Sequence, residues 1–81
     1  MEVWYVYILK GIDGTFYKGI TNNLIRRLHQ HELGQNQTTK NMRSFSLVHV
    51  EICENRVNAR KLEKFFKTGF GREIIKELFN S

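Results

Sequence analysis

Val3-Trp4-Tyr5-Val6-Tyr7-Ile8-Leu9, continued by Lys10-Gly11-Ile12-Asp13-Gly14-Thr15-Phe16-Tyr17-Lys18-Gly19-Ile20, is the stretch on which the fold turns. Its first seven residues are aromatic or aliphatic with no polar alternation, the composition of a strand covered on both faces. That places residues 3–9 at the centre of a sheet. Gly11-Ile12-Asp13-Gly14 supplies turn chemistry, and Thr15 to Ile20 resumes as a second strand running back antiparallel. Two registers are open at the tip. A loop of Ile12-Asp13-Gly14, with Gly14 left-handed, pairs Gly11 with Thr15 and puts Tyr7 and Tyr17 on one face. A loop of Asp13-Gly14 alone puts them on opposite faces.

Working outward, Thr21, Asn22 and Asn23 offer N-cap side chains to a helix over about 23–33, with Leu24, Ile25 and Leu28 as its apolar stripe and Gly34 as its C′ residue. Gln35 to Ser44 is polar and aperiodic and reads as an exposed loop. Phe45 to Cys53 predicts a third strand with Val48, Val50 and Ile52 on one face, and Asn55 caps a second helix over about 56–67. Gly69 and Gly71 interrupt the pattern. Arg72 to Phe79 then predicts a last helix with Ile74, Ile75, Leu78 and Phe79 turned inward. The expected architecture is α+β, a three-stranded antiparallel sheet flanked by helices in the order ββαβαα, as one domain over residues 1–81.

Thirteen Lys and Arg against eight Asp and Glu give a formal charge of +5 and a pI near 9.7, which favours a polyanionic partner. The excess is C-terminal: residues 40–81 carry nine cations against five acids. The lone Cys53 excludes a disulfide framework and a CxxC metal clip, and the short apolar run of residues 3–9 excludes a membrane span. A cytoplasmic location is the expectation.

Some residues fit a purely structural role poorly. Ala59, Leu62 and Phe66 define the buried stripe of the second helix, and Glu63 lies on it. A carboxylate there needs a cation; either an external one, or Lys67 at i+4 with Glu63 at the margin of the stripe. Arg27 and His31, also at i and i+4, share a face of the first helix. Arg27 suits a phosphate oxygen, and His31 suits proton traffic near neutral pH. His29 and His49 read as ordinary histidines.

With these positions marked, the chain resembles the GIY-YIG nuclease superfamily, in particular its small stand-alone bacterial members, similar to the nuclease domain of the excision-repair endonuclease. Tyr5-Val6-Tyr7 resembles the first motif and Tyr17-Lys18-Gly19 the second, followed by Ile20-Thr21-Asn22 and Arg26-Arg27-Leu28. His31-Glu32-Leu33-Gly34 resembles the family's histidine, variable pair and glycine. Thr38-Thr39-Lys40-Asn41, Glu51, Ala59 to Glu63, and Lys67-Thr68-Gly69 to Gly71-Arg72 follow the stand-alone group. Tyr5 stands where the first motif opens on glycine, Lys18 where the second has isoleucine, and Ile20 where repair-type members have lysine.

The resemblance implies a metal-dependent endonuclease hydrolysing DNA phosphodiester bonds. Glu63 would hold a single divalent cation, Mg²⁺ or Mn²⁺, at the leaving group. Tyr7 or Tyr17 would be the general base, with a phenol pKa lowered by Arg27, which would also stabilise the phosphorane. His31 would hydrogen-bond a tyrosine hydroxyl or relay its proton, and Gly19 would let backbone approach closely. Lys18, Lys40, Arg43, Arg60, Lys64, Lys67 and Arg72 would neutralise flanking phosphates, giving selectivity for DNA shape, as in repair or recombination, with a protein partner able to supply specificity. The alternatives are a non-catalytic nucleic-acid-binding module of the same fold, or an adaptor using Trp4, Phe65 or Phe70 as a protein contact.

Overall fold

The structure, a computed structural model, describes residues 2–34 and 45–79. Its elements are β1 (Trp4–Gly11), β2 (Phe16–Thr21), α1 (Leu24–Glu32), β3 (Phe45–Cys53), α2 (Arg56–Phe66) and α3 (Gly69–Phe79). The order ββαβαα and the three-stranded antiparallel sheet are as expected, with strand order β2-β1-β3. The expected loop over 35–44, and with it Lys40 and Arg43, lies outside the described residues.

Strand β1 is central because its side chains demand cover on both faces, and Val6, Tyr7, Ile8 and Leu9 are all 0% exposed. Fully burying one such side chain stabilises by about 1.5–3 kcal/mol, so this segment anchors the core. The hairpin takes the register with the longer loop: the Gly11 amide donates to the Thr15 carbonyl, and Gly14 sits at φ 87. Tyr7 pairs with Gly19 and Leu9 with Tyr17, which puts both tyrosines on one face.

That face also carries Val50, opposite Tyr7, but the alternation along β3 is broken by a register shift between Ile8 and Leu9. Of the expected common face of Val48, Val50 and Ile52, Val50 and Ile52 do share a side, opposite Tyr7 and Tyr5, and Val48 alone is corrected. Val48 is the extra residue of a bulge, Leu47 pairs with Leu9, and Ile52 is 69% exposed on an edge strand. The bulge turns Phe45 onto the tyrosine face.

Helix α1 covers that face. Asn23 caps it by accepting from the Arg26 amide at 3.1 Å, and Gly34 at φ 73 ends it. Its inward line is Leu24, Leu28 and His31; Ile25, expected in the stripe, is 84% exposed because it stands about 100° round the helix from Leu24.

Helices α2 and α3 cover the other face, that of Trp4, Val6, Ile8 and Lys10. Arg56 stacks over Trp4, Phe66 meets His49, and the Lys10 ammonium donates to the Phe79 carbonyl. Asn55 caps α2 through the Asn58 amide at 2.9 Å. Helix α3 begins at Gly69, earlier than expected, because Thr68 caps it: its hydroxyl accepts from the Gly71 amide. Gly71 is a packing necessity, since a Cβ there would overlap the Phe65 carbonyl. Ile75 is buried as expected, whereas Leu78 is 64% exposed and faces solvent.

Candidate active site

The register of the hairpin and the 3.6-residue period of α1 converge on one cluster. Tyr7 rises from the centre of the sheet, Tyr17 stands beside it on β2, and Arg27 and His31 descend from successive turns of α1. The Tyr7 hydroxyl lies 2.8 Å from His31 Nε2 and 3.3 Å from Arg27 Nε. The Tyr7 hydroxyl accepts from Arg27, and its bond with Nε2 runs in the direction that the imidazole tautomer sets.

Rings close the cluster. The centroids of Tyr7 and Tyr17 are 6.1 Å apart, Tyr17 and His31 meet edge-on at 4.9 Å, and Phe45 covers the far side of His31 at 6.2 Å. Tyr7 and His31 are 0% and 2% exposed, while Tyr17 is half-buried and remains reachable. Gln30 holds the guanidinium of Arg27 from the next turn at 3.1 Å.

Burial dominates the electrostatics. It raises the Tyr7 phenol well above its ordinary value, and the hydrogen bond from Arg27 pulls only partly the other way. The expectation that Arg27 lowers a phenol is thus corrected for Tyr7: its sign is right and its size is too small. Burial, then the charge of Arg27, lowers His31 to about 4, so the imidazole is neutral at pH 7. For Arg27 burial works against the charge, but hydrogen bonds to the Tyr7 and Tyr17 hydroxyls outweigh it and the guanidinium is raised. Arg27 sits between the two phenols.

Gly19 is where the sequence reading expected a glycine, for a different reason. A Cβ there would lie 2.6 Å from the Tyr7 hydroxyl oxygen. The ring of Tyr7 occupies the space above Gly19, so the close approach is made by the protein's own phenol.

Glu63 is buried in α2, 7% exposed, but is not part of this contact cluster. Arg60 and Lys67 grip its two oxygens at 3.4 and 3.2 Å, so the pairing with Lys67 weighed from sequence is realised. Both cations are more than half exposed and able to turn outward. Among the described residues no three or more His, Cys, Asp or Glu side chains converge to hold a metal, so a cation at Glu63 would take one protein carboxylate and otherwise water or phosphate oxygens. Mg²⁺ accepts that arrangement readily.

Of the cations expected to meet phosphate, Lys18 and Arg72 gather beside Lys67 on the α2–α3 face, Arg60 serves Glu63, and Lys64 is exposed on α2. Phe45 and Gln30 were not anticipated as site residues. Gln30 was legible as the i+3 neighbour of Arg27; Phe45 was not, because its orientation depends on the bulge. No helix among the described residues is long and apolar enough to cross a membrane.

Residues 3–76 match the sequence model of the family described as the GIY-YIG catalytic domain. Among curated relatives, a "UPF0213 protein" of Nitratidesulfovibrio vulgaris is 41% identical, aligned over 76% of this chain and 57% of that protein. Another from Desulfotalea psychrophila is 39% identical over 79% and 60%. A third, from Limosilactobacillus reuteri, is 35% identical over 98% and 85%. The chain thus spans less than two thirds of the first two relatives. The solution structure of the UPF0213 protein of Bacillus halodurans superposes with a TM-score of 0.58 at 29% identity, covering 95% of this chain and 85% of that one. Fold, register and these matches agree, and the chain belongs to the GIY-YIG catalytic-domain family.

Proposed function

We propose that this domain is a metal-dependent endonuclease that cleaves DNA phosphodiester bonds by reading backbone shape. The observation that carries the reading is the buried hydrogen-bonded group of Arg27, Tyr7 and His31, with the half-buried Tyr17 at its mouth. A purely structural cluster has no need of a guanidinium between two phenols; phosphodiester hydrolysis needs a base for water and a fixed positive group at the phosphorane.

The two phenols divide by exposure. Tyr17 is the one a substrate-bound water reaches, so Tyr17 is the general base, and Tyr7 is the positioning residue that fixes Arg27 and His31. Arg27 is placed to meet the phosphorane oxygens. His31, neutral at pH 7, lies against the Tyr17 ring as well as the Tyr7 hydroxyl and is a proton acceptor for the cluster. Among the described residues β2 is an edge of the sheet, with α1 on one face and α2 on the other, and a phosphate held at this edge would meet Arg27 from one side and Glu63 from the other. Glu63 would hold a single Mg²⁺ or Mn²⁺; when bound, such an ion stabilises the leaving 3′ oxygen. Lys40 and Arg43, with Lys18, Arg60, Lys64, Lys67 and Arg72, would meet flanking phosphates, in cytoplasmic repair or recombination.

The grip of Arg60 and Lys67 on Glu63 favours a second reading, a DNA-binding module that does not cleave. Nicking of supercoiled DNA in Mn²⁺ separates the two. Wild type nicks, while Tyr17→Phe loses about 10²–10⁴-fold, the usual contribution of an acid–base group, and Glu63→Ala loses the metal-dependent nicking. Salt-dependent DNA binding by wild type with no metal-dependent nicking leaves only the module.

A further inference from the structure

Behind β2, on the face away from the tyrosines, lies a hollow of about 270 Å³ floored by the Phe16 ring and Ile75 and rimmed by Lys18, Arg72 and Lys76. We propose that this hollow is a second binding site, taking a phosphate group of the nucleic-acid strand next to the one that reacts. The proposal rests on the reading of the chain as a DNA-acting domain, and names where else it holds its substrate.

Charge is the first argument. Three cations line the hollow and no carboxylate does. Of the acids nearby, Glu63 is committed to Arg60 and Lys67, Glu73 stands 3.9 Å from Lys76 on the exposed side of α3, and Asp13 is turned onto the Thr15 amide and hydroxyl. Among the described residues, Lys18 and Arg72 have no acidic partner. Burial, and then the charges of Arg72 and Lys67, hold the Lys18 ammonium below its ordinary value. Like charges gathered this way repel until an anion enters between them.

Shape is the second. The hollow is smaller than the roughly 300–1,000 Å³ of pockets that take drug-sized ligands. An apolar floor under a cationic rim fits a phosphate on the rim with its sugar against the ring. Arg72 has the planar fork that phosphate favours, and Lys18 and Lys76 add point charges.

Sequence and topology are the third. Lys18 stands where the second family motif has isoleucine. Tyr17 and Lys18 are neighbours on β2, with Cα atoms about 3.8 Å apart and side chains on opposite faces. Because β2 is a sheet edge, a strand lying along it is touched on both sides: at the reacting phosphate by Tyr17 and Arg27, and at another by the hollow.

The test uses the whole chain with EDTA present and a fluorescein-labelled oligonucleotide, reading anisotropy across a salt titration. Lys18→Gln and Arg72→Gln should each lower the slope of log K against log salt by about 0.7–0.9, one phosphate contact's share. Lys61→Gln, an exposed cation of α2 outside the hollow, should leave it unchanged. Unchanged slopes in both hollow variants, or an equal drop in Lys61→Gln, overturn the proposal. If Lys18→Gln does not fold, Arg72→Gln, altered at an exposed side chain, decides alone. Titration with inorganic phosphate, read from the amide shifts of Thr15 and Lys18, then tells the source: shifts that saturate and compete with the oligonucleotide identify free phosphate as a ligand, and shifts with the oligonucleotide alone identify strand phosphate. Shifts with neither overturn the proposal. Because the slopes read binding without metal, a wild type that never nicks DNA would sink the nuclease reading while leaving this site standing.

Discussion

The hydroxyl of Tyr7 and Nε2 of His31, 24 residues apart in sequence, meet at 2.8 Å inside the protein, between β1 and α1. The bond ties α1 to the centre of the sheet. Tyr7→Phe removes the hydroxyl and leaves a buried imidazole nitrogen and the Arg27 donor without that oxygen. We expect a loss of about 1–3 kcal/mol in urea unfolding, the cost of an orphaned buried polar group. Nicking should fall as well, although Phe fills the same space.

His31 sets a pH dependence of stability. Its folded value is lowered from 6.5 to about 4, so the unfolded chain binds this proton more readily than the folded one. Stability is full above pH 6.5 and declines as pH falls from 6.5 towards 4. Unfolding midpoints across that window should fall in wild type and flatten in His31→Asn. A wild-type midpoint that does not move between pH 7 and pH 4.5 would contradict the burial of this ring.

Three glycines should answer differently to alanine. Gly71→Ala drives a Cβ into the Phe65 carbonyl and the Phe66 Cα, both backbone, and should be the most damaging. Gly19→Ala meets the Tyr7 hydroxyl and ring, and overpacking of this kind costs about 1–3 kcal/mol with displacement of the phenol. Gly69→Ala opens onto empty space at the start of α3 and should be neutral or stabilising by up to about 1 kcal/mol. Thermal unfolding of the three variants checks the ranking.

Metal should raise the unfolding temperature only through Glu63. Anything that binds the folded chain alone stabilises it by RT ln(1 + [L]/Kd), about 2.7 kcal/mol at a hundredfold excess over Kd. Mn²⁺ should therefore shift the wild-type midpoint upward, and Glu63→Gln should abolish the shift. An equal shift in both proteins would remove Glu63 from the metal site.

The parts of this protein that were legible in the sequence are those fixed by local chemistry. Asn23 and Asn55 cap helices where their side chains suggested, Gly34 ends α1, and the apolar run at Val6 to Leu9 lies at the centre of the sheet. The start of α3 was misplaced because Gly69 and Gly71 were read as breaks, although Thr68, three residues before Gly71, was a visible capping signal. What could not be read depended on contacts between distant segments. The bulge at Val48 brings Phe45 to His31, and the complete burial of Tyr7 reverses the direction in which its phenol was expected to shift. Charge partners follow the same division: Lys67 was foreseen for Glu63 at one helical turn, whereas the gathering of Lys18 with Arg72 across two elements was not.

The ribbon's exposed tip carries more responsibility than its position suggests. Tyr17 and Lys18 look in opposite directions from adjacent positions, and the left-handed Gly14 selects which of them joins Tyr7. One step of slippage there would exchange a hydroxyl for an ammonium inside the cluster, without altering a single residue of it. Substitutions at Ile12, Asp13 or Gly14 are therefore edits to chemistry performed at a distance, and changes in the length of this turn are constrained by parity rather than by space.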